Sequence, residues 1–378
     1  MDKAITHRLS ILIGLVGGLM VADCGGTSHP DPVAGTGGVQ SGAGAQDTGG
    51  STGGAQAVGG AASTGGTGGS STATATPDAA AVLGDAGGSR DAGSTVAEVA
   101  APSQCLAPPA GASADAVTAL NAENAVRVAM GIPCASLVLT LCTSAQNHCN
   151  YYTTNQGSAT CQAASAHSEV AGCPQFSGGD PGARVKAAGY TGNGWAECMA
   201  YLGDPAGAVK SFVDTVYHRT AVLSPWYRDM GYGGGVGCDT IDFGPGAATP
   251  KTVTAFYPTD GQIGVPLSFN GAQEGPTPPA PSTGWPSGYP ITLFAQGLTV
   301  SAHQIVVDGT TAPLAHVWLD GDSSLGPTAK ALYTEAPLTA NTTYRVTIDG
   351  TTAAGSVHFE WTFTTGAAAT RPGGGRRG

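Results

Sequence analysis

The chain has 378 residues, 60 of them glycine. Much of this glycine is clustered, so part of the chain cannot contribute to an apolar core. Only 11% of the residues are charged, and the formal net charge is −11. Binding to a phosphate backbone needs clustered lysine and arginine, so this balance excludes a nucleic-acid partner.

The first 24 residues have the pattern of an export signal. Lys3 and Arg8 precede an apolar run over residues 9–22 that is too short and too glycine-rich for a spanning helix. The residues before Cys24 resemble a bacterial lipobox, in which the cysteine becomes the lipidated first residue of the mature chain. Asp23 stands where that pattern prefers a small residue. An ordinary signal peptide and an uncleaved anchor therefore stay open as alternatives.

Residues 25–102 form a low-complexity segment in which Thr-Gly-Gly recurs and aromatic residues are absent. Such a segment cannot offset its ordering entropy by burial, so we predict a disordered linker. About 75 residues of this kind have a root-mean-square reach of roughly 50 Å. The linker is either a tether that holds a domain away from a membrane or sequence without a selected length.

All cysteines other than Cys24 lie in the next segment, residues 103–245, which we interpret as the first folded domain. Eight cysteines in an exported domain predict up to four disulfides, with the pairing left open. A zinc site is the competing interpretation, and the absence of a Cys-x-x-Cys pair disfavours it. The eight are Cys105, Cys134, Cys142, Cys149, Cys161, Cys173, Cys198 and Cys238.

Three helices are predicted in this domain. The first begins at Ser113 or Asp115 and runs to about Met130, and the second covers residues 136–152. The third follows the Asp-Pro pair at 204–205 and ends near His218. Short apolar segments between glycine-rich connections suit strands, so the pattern predicts a mixed α/β sandwich.

Five segments in order resemble the CAP superfamily (cysteine-rich secretory proteins, antigen 5 and pathogenesis-related type 1 proteins; also called the SCP domain), in its bacterial branch. Segment 120–133, LNAENAVRVAMGIP, is similar to the first helix of the family, and 145–152, AQNHCNYY, to the second. Segment 167–190 resembles the loop before the central glutamate. AECMAY at 196–201 stands at the position of that glutamate, and 208–225 resembles the third helix with its closing His-Arg.

The resemblance implies a three-layer α/β/α sandwich with a cleft lined by two histidines and two acidic residues. Carried over by position, His167 is the first histidine, Glu197 the central glutamate and His218 the second histidine. The second acid belongs three residues after the aromatic Phe212, where this chain has Thr215. Three of the four cleft positions are therefore filled.

Two departures from the family pattern bear on this cleft. Glu169 and Asp214 are the candidates to replace the missing acid. Ala196, Glu197 and Cys198 stand where the family has Gly-Glu-Asn. Both departures shift the expectation from catalysis towards binding.

The chemistry of the candidate group can be considered without the family. Two imidazoles and a carboxylate could hold zinc or another divalent metal weakly, with water completing the shell. Glu197 would then act as a base or metal ligand in a metal-assisted hydrolase. Alternatively, Glu197 pairs with either histidine and joins the loop to the third helix. Ser168 beside His167 lacks the Gly-x-Ser-x-Gly elbow, which disfavours a serine hydrolase.

Three further side chains in this segment have two interpretations each. His148 is interpreted as a structural or surface histidine, with the rim of the cleft as the alternative. Arg184 and Arg219 are interpreted as forming salt bridges of the loops, with a ligand role as the alternative.

Residues 250–366 contain no cysteine and show short runs of alternating apolar residues. Asp-Gly pairs at 308–309 and 349–350 favour hairpin turns, so we predict a β-sandwich. Segments 257–266 and 344–366 resemble bacterial immunoglobulin-like domains, which implies a spacer or adhesion module. The tail, residues 367–378, is predicted to be disordered.

These observations together predict an exported, surface-tethered bacterial protein that binds a lipid, a peptide or cell-envelope material. Its membrane partner would be reached through lipidated Cys24, and Gly25 gives no acidic retention signal, which favours an outer membrane. A secreted form remains open. A metal-assisted hydrolase and a purely structural envelope protein are the alternative functions.

Overall fold

The computed structural model describes the backbone of residues 22–28 and, in full, residues 104–163, 165–246 and 253–368. The predicted signal segment before residue 22, nearly all of the predicted linker, and the tail after residue 368 lie outside the described residues. Among the described helices, none is long and apolar enough to cross a membrane.

Five α-helices and fourteen strands make up the described part. The helices are α1 (Ala114–Ala129), α2 (Leu139–Asn155), α3 (Pro181–Ala187), α4 (Pro205–Val213) and α5 (His218–Val222). The strands are β1 (Ala22–Ser28), β2 (Ser136–Leu137), β3 (Trp195–Ala200), β4 (Asp229–Gly235), β5 (Cys238–Gly244), β6 (Thr254–Tyr257), β7 (Gln262–Val265), β8 (Glu274–Gly275), β9 (Ile291–Ala295), β10 (Thr299–Val307), β11 (His316–Leu319), β12 (Ala329–Thr334), β13 (Thr343–Thr352) and β14 (Gly355–Thr365).

The first helix begins at a side-chain cap, and the second begins where a short strand ends. The Ser113 hydroxyl oxygen accepts a hydrogen bond from the Ala116 N–H at 3.1 Å and caps α1. Helix α2 begins three residues later than the sequence predicts, at Leu139. The reason is that Ser136 and Leu137 form β2, which pairs in parallel with the start of β4.

The predicted third helix is interrupted, because α4 ends at Val213 and α5 begins at His218. The backbone N–H groups of Val216, Tyr217 and His218 donate to the Glu274 carboxylate instead of to helix carbonyls. A side chain that is distant in sequence therefore replaces the helical hydrogen bonds at this break.

The strands form three sheets. The largest is mixed and has the order β2-β4-β5-β3-β1-β8, with β1 antiparallel to β3 and parallel to β8. The other two have the orders β10-β13-β14-β7 and β11-β12-β9-β6. The backbone of Gly25 in β1 lies opposite Glu197, so the β3 strand is flanked on both sides.

Helix α2 approaches β4 closely over two glycines. A Cβ at Gly231 would lie 2.2 Å from main-chain atoms of Leu141 and Cys142, and one at Gly233 would lie 2.1 Å from the Gln146 nitrogen. No residue with a side chain fits at either position without moving the helix. This contact fixes α2, and with it His148, over the β4–β5 face.

One of the two predicted Asp-Gly turns is wrong. Residues 308–309 do form a turn after β10, whereas Asp349 and Gly350 continue β13, and the hairpin turns at residues 353–354. A Cβ at Gly350 would lie 2.4 Å from the Thr299 carbonyl oxygen. This glycine therefore allows close strand approach beside the irregular β10–β13 register.

The predicted three-layer α/β/α sandwich with a separate immunoglobulin-like sandwich is wrong. Strands predominate, and the six-stranded sheet takes β1 and β8 from outside residues 103–245. One apolar cluster extends from Ala116 of α1 to Phe363 of β14 and includes Phe212, Val216 and Tyr289. The two halves of the described chain therefore share a core, and the Tyr289 hydroxyl donates to Asp214 next to it.

Candidate functional site

The buried side chain of Glu197, on β3, is at the centre of a polar cluster. Its side chain is 0% exposed, and Nη2 of Arg184 donates to its two carboxylate oxygens at 2.7 and 2.6 Å. Nδ1 of His167 lies 2.7 Å from Oε1, and Nε2 of His148 lies 3.8 Å from the same oxygen. Burial opposes ionisation of Glu197, but the charges of His148 and Arg184 and the His167 hydrogen bond outweigh it and lower the pKa.

Glu169 completes a second part of this cluster. It accepts from Nδ1 of His148 at 2.9 Å, from the Ser177 N–H at 2.6 Å and from the Gly178 N–H at 3.2 Å. Desolvation alone would raise the pKa of Glu169. The hydrogen bonds from His148 and Ser177 together outweigh it, so the pKa is lowered. Nε2 of His148 lies 2.8 Å from the Ala166 carbonyl oxygen. Both ring nitrogens of His148 therefore face oxygen atoms, one of the Glu169 carboxylate and one of the Ala166 carbonyl.

Sequence reasoning did not identify Asp242 as part of this group. It lies on β5 directly opposite Glu197 in the antiparallel register and is 0% exposed. Burial, and then the negative charge of Glu197, raise the pKa of Asp242 well above its ordinary value. The sequence did contain one signal for Asp242. It alternates with the apolar residues Ile241 and Phe243 in a short segment that has the pattern of a strand.

His218 lies apart from the Glu197 cluster. Glu197 and Cys198 project to opposite faces of β3, and the backbone carbonyl of His218 lies 3.9 Å from Sγ of Cys198. The His218 ring stacks on Phe212 with 5.5 Å between centroids, and its Nδ1 lies 2.9 Å from Oε1 of Glu274. The structure therefore joins His167 to Glu197 directly and pairs His218 with a different carboxylate.

The two candidates for the missing acid lie in different places. Glu169 belongs to the Glu197 cluster through His148 and Arg184, whereas Asp214 accepts from Lys210 and from the Tyr289 hydroxyl. Thr215, at the position of the missing acid, donates from its hydroxyl to the Phe212 carbonyl at 2.7 Å. The acid at His218 is Glu274, which lies 56 positions further along the chain. No local pattern around a Gln-Glu-Gly sequence indicates such a partner, so sequence reasoning missed it.

Arg219 holds the two halves of the described chain together. Its guanidinium donates to the carbonyls of Val213 and Pro290 and lies 4.9 and 5.0 Å from the ring centroids of Tyr257 and Tyr289. Because the side chain is fully buried, it has a packing role rather than a role in a loop salt bridge.

The metal hypothesis can be tested on the donor set itself. Within the described residues, no group of three or more His, Cys, Asp or Glu side chains is arranged to hold a metal ion. The Arg184 guanidinium occupies the carboxylate face of Glu197 at 2.6–2.7 Å, where a cation would have to bind. These residues therefore do not fit the zinc or divalent metal site that the sequence suggested.

An open cavity of about 170 Å³ lies beside the buried cluster. The two neighbours of His167, Ala166 and Ser168, contribute to its wall. Its other walls include three tyrosines and several amide side chains, and none of the described lining residues carries a charge at neutral pH. The aromatic and amide members are Tyr151, Tyr152, Tyr201, Asn155, Gln156 and Gln162.

Three disulfides connect six of the eight cysteines that were predicted to form them. They are Cys105–Cys134, Cys149–Cys238 and Cys161–Cys173. Such bonds persist in oxidising compartments, so they support an exported protein. Two of the three lie at the cavity, since Cys161 lines it and Cys149–Cys238 packs beneath Tyr152 and Tyr201.

Comparison with known proteins finds matches among solved structures and none among sequence families or curated proteins. An extracellular protein containing an SCP domain from Bacillus anthracis is 16% identical over 35% of this chain and 40% of that chain, with a TM-score of 0.30. A cysteine-rich secretory protein from Staphylococcus aureus is 16% identical over 37% of this chain and 41% of that chain, with a TM-score of 0.27.

Both solved proteins are described in the terms of the superfamily that the motifs resemble. Each match covers about two fifths of the solved chain. At these TM-scores the likeness carries no argument about fold or function.

Proposed function

We propose that this chain is an exported, non-catalytic binding protein that attaches to an uncharged polymer of the cell envelope. The observation that carries the proposal is the open cavity of about 170 Å³ next to a polar cluster whose central carboxylate is fully buried. The cavity offers a surface to a ligand, and the cluster holds that surface in place.

The buried cluster is better suited to support than to catalysis. A general base must reach the proton that it removes, within about 2.6–3.2 Å or through one water. Glu197 is 0% exposed and is held by Arg184 and His167. Because its pKa is lowered, it is also a weak base. His148 connects this cluster to the cavity wall through the Ala166 carbonyl.

The charge of the protein favours an uncharged ligand. The formal net charge is −11, and the described cavity wall contributes no cation. Anionic polymers and phospholipid headgroups would be repelled rather than attracted. A neutral cell-wall polymer is therefore the favoured partner among the candidate ligands.

Attachment to a membrane is part of the same proposal. Lipidation of Cys24 would anchor the chain in an outer membrane, and because β1 pairs with β3, the anchor would lie beside the folded part of the chain. Mass spectrometry of the exported protein tests the anchor, since a diacylglycerol-modified cysteine at the N-terminus is expected. An unmodified N-terminus elsewhere would contradict the anchor and leave the binding proposal intact.

The binding proposal is tested by co-sedimentation of the full chain with insoluble peptidoglycan sacculi whose free carboxyl and amino groups are blocked by amidation and acetylation, which makes the polymer uncharged. Anionic phospholipid vesicles are the comparison. We expect retention on sacculi, no retention on vesicles, and no release of soluble fragments over hours of incubation. Release of fragments that Glu197→Gln abolishes, while circular dichroism shows an intact fold, would establish a hydrolase and overturn the proposal. Retention on neither material would also overturn it.

A further inference from the structure

The cavity beside His167 has walls that are fixed before any ligand binds. The Tyr151 hydroxyl donates to the Cys161 carbonyl at 2.5 Å and accepts from the Val170 N–H at 2.7 Å. Asn155 donates to the carbonyls of Tyr151 and Pro174, each at 2.9 Å. These contacts fix helix α2 against the segment that follows it.

The two disulfides at the cavity reinforce this arrangement. Cys161–Cys173 closes the loop that contributes the cavity wall, and Cys149–Cys238 ties α2 to β5 beneath the aromatic side. Walls that are ordered in advance lower the entropic cost of binding. The cavity is therefore built as a preformed site rather than a gap between mobile loops.

Two tyrosines form the aromatic side. The rings of Tyr152 and Tyr201 are 5.1 Å apart between centroids and tilted by 30°, and both side chains are half-buried. A tyrosine ring gives a rigid contact surface at low entropic cost, with an apolar face and a polar end. Such a surface fits a ligand that is itself apolar on one face and polar at its edges.

The polar side consists of uncharged groups. Gln156, Gln162 and Ser165 are exposed at the mouth, and Ser168 is half-buried in the wall. Amides and hydroxyls both donate and accept hydrogen bonds, so they match a ligand that is rich in hydroxyl or amide groups. The absence of charge among the described lining residues removes the means to hold phosphate, carboxylate or ammonium groups.

Size narrows the ligand further. Pockets for drug-sized ligands have volumes of about 300–1,000 Å³. At about 170 Å³ the cavity is large enough for one small ring and too small to enclose a lipid chain. A pyranose ring combines a flat C–H face, which stacks on aromatic rings, with a rim of hydroxyl groups.

We infer that this cavity binds one neutral sugar ring of a larger glycan, with the apolar face of the sugar against the Tyr152–Tyr201 pair and its hydroxyl groups on the amide side. The inference rests on the proposed binding function and names the ligand class of that site. The rest of the glycan would extend through the open mouth past Gln162.

The experiment titrates the full chain with chitotetraose, a neutral oligomer of N-acetylglucosamine, by isothermal calorimetry and saturation-transfer NMR. Tyr201→Ala is expected to weaken binding at least tenfold. The matched control is Leu202→Ala, which removes the neighbouring side chain, 47% exposed and outside the cavity wall, and is expected to leave the affinity unchanged. Gln162→Ala, at an exposed position that does not threaten the fold, is expected to weaken binding severalfold.

Several outcomes would overturn the inference. One is the absence of chitotetraose binding at millimolar concentration while the chain still sediments with sacculi, which leaves the binding function in place and refutes the sugar site. Equal affinities for Tyr201→Ala and Leu202→Ala would place the sugar elsewhere. If the wild-type chain binds neither the sacculi nor the oligosaccharide, the proposed function itself is refuted.

Discussion

Replacing Glu274 by alanine removes the carboxylate that joins β8 to the break between α4 and α5. This carboxylate is 2% exposed and accepts four hydrogen bonds. Three come from the backbone N–H groups of Val216, Tyr217 and His218, at 3.0, 2.6 and 3.1 Å. The fourth comes from Nδ1 of His218 at 2.9 Å.

The expected loss follows from the burial of these donors. A single unsatisfied buried polar group costs about 1–3 kcal/mol, and breaking a buried charged pair costs about 3–5 kcal/mol. Water that enters the space left by the side chain offsets part of the sum, so we expect about 3–5 kcal/mol for Glu274→Ala. Because folded chains are stable by only about 5–15 kcal/mol, this is a large fraction of the total.

Two further variants make the prediction specific. Glu274→Gln keeps the shape and one carbonyl acceptor but loses the charge, so we expect a smaller loss of about 1–3 kcal/mol. Glu360→Ala is the control, because Glu360 is an exposed carboxylate on β14 whose contact with Arg345 is 3.9 Å. That variant is expected to unfold like the wild type.

The assay is equilibrium unfolding in guanidinium chloride, followed by fluorescence and by circular dichroism, with Tm from calorimetry. A loss of 3–5 kcal/mol corresponds to a fall in Tm of roughly 6–20 °C. The reasoning is refuted if Glu274→Ala changes the free energy of unfolding no more than Glu360→Ala does. It is also refuted if Glu274→Gln is as unstable as Glu274→Ala, since the charge alone would then account for the effect.

Three further predictions concern other parts of the fold. Since the raised pKa of Asp242 favours its protonated form in the folded state, its stabilising effect is present below pH ~3.9 and is lost as pH rises through the folded pKa. Asp242→Asn should raise Tm at pH 8 and change it little at pH 4, and equal Tm values for the two proteins at pH 8 would contradict this. Gly231→Ala should cost about 1–3 kcal/mol or more, because the methyl group displaces α2. Gly235→Ala is the control and should be nearly neutral, because a methyl group there meets no atom within 4 Å. Similar urea midpoints for the two variants would refute the packing argument. Joint replacement of Cys149 and Cys238 by serine opens a link across 89 residues and should cost about 4.5 kcal/mol by loop entropy, and a loss below 1 kcal/mol in thermal unfolding would contradict it.

Sequence patterns predicted the features that depend on neighbouring residues. The Ser113 cap locates the start of α1, because an N-cap hydroxyl bonds to an N–H only a few positions away. Alternation in residues 344–348 predicts a strand, and β13 has Tyr344, Val346 and Ile348 buried. The dense cysteines predict up to four disulfides, and three form between described residues.

The tertiary structure decided which polar groups meet. Sequence reasoning grouped His167, Glu197 and His218. Side chains on successive residues of a strand point to opposite faces, so Glu197 and Cys198 face different sides of β3. His218 lies on the Cys198 side and is therefore separated from Glu197. Glu274 contacts His218 from 56 positions away, and Asp242 lies opposite Glu197 on the adjacent strand. These contacts depend on chain reversal and strand register, and one sequence does not specify either.

The polar cluster around Glu197 shows most clearly what the sequence and the tertiary structure each contribute. From the sequence alone, the histidines and acids around residues 165–219 could be an enzyme site or a structural network, because residue types set the chemistry but not the distances. Folding places Arg184 on Glu197 at 2.6 Å and buries both side chains, which commits the carboxylate to an ion pair. It also opens a tyrosine-lined cavity beside them, since only the packing of α2 against the disulfide-bonded loop brings those tyrosines and amides to one wall.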